Sequence, residues 1–174
     1  VAITGAGIQN DFLNVPDVVS ATVTFSEVVN KTGTPQLTLA VGDDNRTATY
    51  ASGTGNAPLV FTYTIQTGDN DTDGISIRAN ALALNSGTIR DLAGNNATLT
   101  HSAVSDNNSY MVDTEAPRVD NFTLSDTALK IGDNATVTLV FSEPVFGFAS
   151  DDDITADNGS LPAMASNDNT TWFG

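Results

Sequence analysis

Residues 13–29, LNVPDVVSATVTFSEVV, return 116 residues later as residues 129–145, LKIGDNATVTLVFSEPV. Seven of the seventeen positions are identical: Leu13/Leu129, Asp17/Asp133, Thr22/Thr138, Phe25/Phe141, Ser26/Ser142, Glu27/Glu143 and Val29/Val145. Self-similarity at domain length marks a chain built from modules, with function spread along an array rather than held in one catalytic cleft. Two of the repeated residues are carboxylates, which a hydrophobic core alone does not require. At 174 residues the chain accommodates one complete repeat and half of another.

Alternation with period two dominates, and no segment sustains a period of 3.6. Leu59, Phe61, Tyr63 and Ile65 face one way while Val60, Thr62, Thr64 and Gln66 face the other, which is a half-buried strand. Val19, Ala21, Val23 and Phe25 do the same, and Ala135, Val137, Leu139 and Phe141 repeat them. Shorter strands are predicted at residues 1–5, 36–41, 46–51, 75–77, 81–84, 97–100 and 109–112, separated by Gly/Asp/Asn-rich turns. So many short antiparallel strands in one repeat predict an all-β fold, an immunoglobulin-like β-sandwich. The expected organisation is a complete domain over 1–113, a short stiff linker over 114–117 and the first part of a second domain over 118–174. Pro117 marks the joint, because proline cannot donate to a ladder and holds Ala116 extended. The second unit, with strands expected at 119–124, 135–141, 153–156 and 170–173, exposes unpaired edges, so it docks on the first domain, exchanges a strand with a neighbouring chain or stays partly disordered.

Composition narrows the chemistry. There is no cysteine and a single histidine, so a thiolate site is excluded, zinc is disfavoured, and a metal would be held by oxygen or by His101. The formal charge of −15 repels nucleic acid and anionic membranes and makes divalent cations the natural counter-species. No run approaches the roughly 18 apolar residues of a membrane span. The chain starts inside a strand-like segment rather than a signal peptide, and so reads as an internal piece of a longer protein. A cysteine-free, acidic, Thr- and Asn-rich chain suits an extracellular location on a bacterial surface. Nine Asn-x-Ser/Thr sequons, at Asn30, Asn45, Asn70, Asn96, Asn107, Asn121, Asn134, Asn158 and Asn169, follow from that Asn and Thr content by chance.

The segments TVTFSEVVNKTGTPQLTL, ATYASGTGNAPLVFTYTIQTGDNDTDGISI, LNSGTIRDLAGNNATLT and YMVDTEAP resemble the bacterial immunoglobulin-like repeats of giant secreted adhesins, including those exported by type I secretion. LSDTALKIGDNATVTLVFSEPVFGFASDDDITADNGSL resembles the start of a sister repeat type. The resemblance implies tandem extender domains that hold a distal ligand-binding region away from the cell, commonly with calcium at the domain joints.

Among the acidic residues the sharpest pattern is Asp69-Asn70-Asp71-Thr72-Asp73-Gly74, the first half of a D-x-[DN]-x-[DN]-G calcium loop. Carboxylates at alternate positions of a tight loop converge on one ion, and calcium takes six to eight such hard oxygens. The bidentate Glu that closes such a loop is missing, since Asn80 holds its position, and an acidic hairpin turn uses the same residues. Strand direction puts Asp69, Asp71 and Asp73 at the pole where the chain leaves the first domain, beside Asp113 and Glu115, while Glu143 returns to the near pole of the second. These six carboxylates are expected to share calcium at the joint, stiffening it. Glu27, with Asp91 of DLAGN, is expected to form the equivalent site at the opposite pole, although Asp91 suits an Asx-type turn equally. Asp17 and Asp133 read as turn formers, and Asp151–Asp153 as a solvated loop.

No nucleophile elbow is present, His101 sits in a Thr-rich strand-like segment, and TGAGIQN lacks the third glycine and helix of a dinucleotide site, so no enzymatic activity is expected. Trp172 reads as a core residue. The expected function is a structural extender whose partners are the neighbouring repeats of its own polypeptide. The alternatives are a glycan- or protein-binding module and an accessory domain of a secreted hydrolase.

Overall fold

The computed structural model of the chain describes residues 1–9, 11–157 and 159–174, so the sequon at Asn158 lies outside the described residues. The chain is an all-β, immunoglobulin-like β-sandwich protein that forms two compact units, Val1–Glu115 and Ala116–Gly174. The first begins with β1 (Ala2–Ala6), β2 (Phe12–Leu13), β3 (Val18–Thr32), β4 (Gln36–Val41) and β5 (Asp44–Ser52). It continues with β6 (Asn56–Thr64), β7 (Asn70–Asp71), β8 (Leu82–Ala83), β9 (Thr88–Asp91) and β10 (Met111–Asp113). The larger sheet has the order β1-β3-β6-β5-β4-β8, with β9 added along the far half of β3. In the smaller sheet β10 runs parallel to β2 and antiparallel to β7.

The ladder between β3 and β6 is the centre of this unit. Its register sets Val19 beside Tyr63, Ala21 beside Phe61 and Val23 beside Leu59, and all six side chains are buried on one face, as the alternation predicts. Burying one such Leu or Phe contributes about 1.5–3 kcal/mol. After Thr24 the register shifts, Ser26 and Glu27 are exposed, and from Val29 onward β3 takes β9 as a partner. Between Ile77 and Val104, which bridge each other, the chain makes the excursion that carries β8 and β9. The strand predicted at 97–100 is not formed: pairing with β9 is limited to the Arg90–Asn96 bridge and the Ala97 N–H, which reaches Ile89 O at 2.9 Å.

The second unit contains β11 (Val119–Leu124), β12 (Val137–Phe141), a helical turn α1 (Ser150–Asp153) and β13 (Thr171–Phe173), with sheet order β11-β12-β13. Val137, Leu139 and Met164 form its core, packed by Phe141, Phe148, Ile154, Leu161 and Trp172. Trp172 meets Phe148 edge-on at 5.0 Å and donates from Nε1 to Asn169 O, consistent with a core role. A helical turn replaces the start of the strand predicted at 153–156. There Asp153 Oδ2 accepts the Ala149 N–H, and Ser150 Oγ accepts the Met164 N–H at 2.7 Å, so short polar side chains hold the backbone in a turn.

The repeat persists to the level of single bonds. Asp17 donates its N–H to Asn14 O at 2.7 Å and accepts the Asn14 N–H at Oδ2, and Asp133 makes the same pair of bonds with Lys130, at 3.0 and 2.9 Å. The residue before each turn differs in surroundings: Leu13 is 0% exposed and Leu129 is 46% exposed. Leu13→Ala is therefore expected to destabilise the chain by about 2–5 kcal/mol, and Leu129→Ala by less than about 0.5 kcal/mol, as read from urea denaturation.

Candidate functional site

The acidic stretch 69–74 leaves β6 through a turn at Gln66–Asp69 and enters β7. Its first carboxylate turns inward. Asp69 is 1% exposed; Oδ1 accepts from Arg46 Nε at 2.5 Å, and Oδ2 accepts from the Tyr63 hydroxyl at 2.7 Å and the Gln66 N–H at 2.9 Å. Arg46 also reaches Asp44 Oδ2 at 2.8 Å. Burial pushes the Asp69 pKa up, but the Gln66 N–H, the Tyr63 hydroxyl and the Arg46 guanidinium outweigh it and hold the carboxyl below its ordinary value. Burial, followed by the bond to Asp69, pushes the Tyr63 phenol up to about 12.

Asp71 is also buried, and it organises the loop. Oδ1 accepts the N–H groups of Asp73 and Gly74, and Oδ2 accepts the Gly42 N–H at 2.7 Å. Gly74 has φ +98°, and a Cβ there would strike Asn107 O, so glycine is required for the loop to close on the segment before β10. Asp73 is exposed, and its pKa is raised by a hydrogen bond with Asp71, then by burial, then by the charges of Asp106 and Asp71. Asp71 and Asp73 line a cleft of about 410 Å³ together with Asp43 and Asp106.

The structure thus keeps Asp71 and Asp73 together and sends Asp69 into the core contact with Arg46 and Tyr63. Asp113 pairs with Asn70 across β10 and β7 while Val112 pairs with Asp71, so strand parity points Asp113 and Asp71 to opposite faces. Asp113 Oδ1 accepts the Glu115 N–H at 3.0 Å, and Glu115 is exposed. Thr114 ties the end of β10 to the turn: its hydroxyl donates to Asp69 O at 2.9 Å and accepts the Gly68 N–H at 3.0 Å. Glu143 follows β12 in the second unit, where it is half-buried. Asp43 and Asp106 escape the sequence reading because they lie on other loops, outside any local pattern.

At the other end of the first unit Glu27 and Asp91 do line one cleft, of about 440 Å³, along with Thr24, Ser26, Asn95 and His101. Asp91 uses both oxygens on Asn95, accepting its N–H at 2.8 Å and its Nδ2 at 2.7 Å, which closes the Asx-type turn of DLAGN. That arrangement lowers the Asp91 pKa, the side-chain bond to Asn95 being the main cause. His101 is half-buried rather than a free surface ring. Nε2 accepts the Ala81 N–H at 3.0 Å, which leaves the proton of the neutral ring on Nδ1, donated to Ser102 O at 2.8 Å. With both nitrogens spent on the backbone, the ring braces the excursion. Among the described residues no three His, Asp or Glu side chains form a group that could hold a metal ion.

Residues 113–174 match the family described as bacterial Ig-like domain. No curated protein and no solved structure is significantly similar to the chain.

The Asp69 contact makes stability depend on pH at both extremes. Its folded pKa is depressed, so its contribution is complete above the ordinary 3.8 and is lost as pH falls through the lowered value. The Tyr63 contribution is complete below 10.0 and is lost as pH rises through about 12. Denaturation measured across pH is expected to show both losses, with Asp69→Asn removing the acid limb and Tyr63→Phe the alkaline one. Asp69→Ala, which strands the Tyr63 hydroxyl, the Gln66 N–H and Arg46, is expected to cost about 2–3 kcal/mol near neutral pH.

Proposed function

We propose that the chain is a spacer: a length of tandem Ig-like modules from a bacterial surface adhesin, non-catalytic and extracellular, holding a distal adhesive region away from the cell, with calcium stiffening the junction between modules. The observation that carries this reading is the double occurrence of one strand–turn–strand unit, down to the matched bonds of Asp17 and Asp133. A spacer is built by repeating one structural unit, whereas an enzyme needs one assembled site. The match of residues 113–174 to a bacterial Ig-like domain supports the modular part of the reading. The partners on this reading are neighbouring repeats of the same polypeptide, and a charge of −15 disfavours nucleic acid. No described helix is long and apolar enough to cross a membrane.

For calcium, the donor chemistry is suitable. Asp43, Asp73 and Asp106 line one cleft with hard oxygens and no imidazole among them, and they would have to draw together around an ion, since no three described His, Asp or Glu side chains are grouped to hold one. A bound divalent ion would supply the positive charge that relieves the repulsion felt at Asp73. Asp113 immediately precedes residues 114–117 and Glu115 lies within them, and these are the carboxylates for the junctional role.

A second reading, a module that binds a glycan or a protein, is favoured by the cleft of Glu27 and Asp91, whose lining is rich in hydroxyl and amide groups. Neither that role nor an accessory role beside a secreted hydrolase requires the internal repeat, and the spacer does.

Calorimetric titration with calcium, paired with small-angle scattering before and after chelation, tests the proposal. Expected are saturable uptake in the micromolar-to-millimolar range, its loss in Asp73→Asn/Asp106→Asn, and a shorter, more variable end-to-end length without the ion. Absence of both uptake and a length change overturns the calcium part.

A further inference from the structure

The internal repeat makes the first unit a reference for the second. In the first, Leu13 stands before the Asp17 turn and is covered by β10, which lies parallel to β2 with Met111 beside Phe12 and Val112 beside Leu13. Leu13 and Val112 are both wholly buried. In the second, Leu129 stands before the matching Asp133 turn and is 46% exposed, with Ile131 beyond it fully exposed. The neighbouring strand is left open in the same way. Phe122 and Leu124 of β11 pair with Leu139 and Val137 of β12, and cross-strand partners share a face, so both point to the core side of the sheet. Leu139 and Val137 are buried there, under a cover that includes Phe148, Ile154, Leu161 and Met164, while Phe122 and Leu124 remain 51% and 43% exposed.

We propose that the second unit is an acceptor for an added β-strand of the β10 type, laid parallel to residues 128–130 and closing over Leu129, Phe122 and Leu124. This rests on the reading of residues 116–174 as an Ig-like module. The occupant is specified by what performs the task in the first unit: a short extended strand with an apolar residue at the position of Val112 and an acidic residue after it. Main-chain bonds at Leu129, whose neighbours Ala128 and Lys130 already give their N–H groups to Asp126 and Asp133, supply affinity, and the seat for the Val112-type side chain beside Leu129 supplies specificity. The parallel β10–β2 pairing is the precedent for the orientation.

The probe is a synthetic peptide with the sequence of residues 107–115, NNSYMVDTE, added to the full chain and followed by amide hydrogen exchange. Expected is roughly tenfold or greater protection of the Leu129 amide, together with burial of Phe122 and Leu124. Both are expected to be lost with Leu129→Asp in the chain, or with Asp in place of Val in the peptide. Unchanged exchange at Leu129, with β11–β12 still protected, overturns the acceptor proposal and leaves the Ig-like reading standing. Shielding of the same residues by concentration-dependent dimerisation without peptide also overturns it, by making a second copy the occupant. Exchange of β11 and β12 at the rate of an unfolded chain overturns the Ig-like reading of this unit, and the proposal with it.

Discussion

A sheet with one apolar face folds only where something covers that face, and in the first unit the β3–β6 ladder sets what must be covered. Its six inward side chains commit β3 to a register that holds as far as Thr24, where the ladder bulges before β6 meets β3 again at Val29. Glu27 lies in that bulge and lines the cleft, and at Val29 the strand is held on both sides, by Asn56 of β6 and Asp91 of β9. The excursion from Ile77 to Val104 follows from the same need, since the far half of β3 would otherwise present an open edge. His101 braces that excursion through Ala81 and Ser102, which explains one histidine among so many hydroxyl and amide residues.

The acidic residues divide by the hydrogen-bond donors around them rather than by spacing along the chain. Asp69, Asp71, Asp91, Asp17 and Asp133 accept backbone N–H groups and shape turns. Asp73 instead faces other carboxylates, and its shift runs opposite to those of Asp69 and Asp91. The donors around Asp69 and Asp91 favour their ionised forms, whereas the hydrogen bond with Asp71, and after it the charge of Asp106, disfavour that of Asp73.

Much of the fold was legible because alternation reports burial directly: Val19, Ala21, Val23, Leu59, Phe61 and Tyr63 were all assigned inward, and all are. The segments at 97–100 and 153–156 misled for a different reason. Alternation says what a segment prefers to bury, not whether its backbone pairs in a ladder, and short polar side chains can hold the backbone in a turn instead. The candidate site was legible only in part. Asp, Asn and Gly at alternate positions are the vocabulary of both an ion loop and a hydrogen-bonded turn, and only the arrival of Arg46 and Tyr63 from other strands decides the fate of Asp69. Asp43 and Asp106 join Asp71 and Asp73 through long-range folding, which no local pattern records.

The parallel pairing of β2 with β10 has a mechanical consequence for the first unit. A pull at Val1 loads β1 on its ladder to β3 before it reaches β2 from the N-terminal end, and a pull at Glu115 reaches β10 from its C-terminal end. Two parallel strands drawn from opposite ends slide past each other, so their hydrogen bonds are loaded together instead of opening one at a time. Thr114 adds two bonds where the load enters β10, to Gly68 and Asp69, passing part of it to the turn that Asp69 anchors on Arg46 and Tyr63. Under tension this unit is held by shear across its last strand, and the buried carboxylate acts as the anchorage.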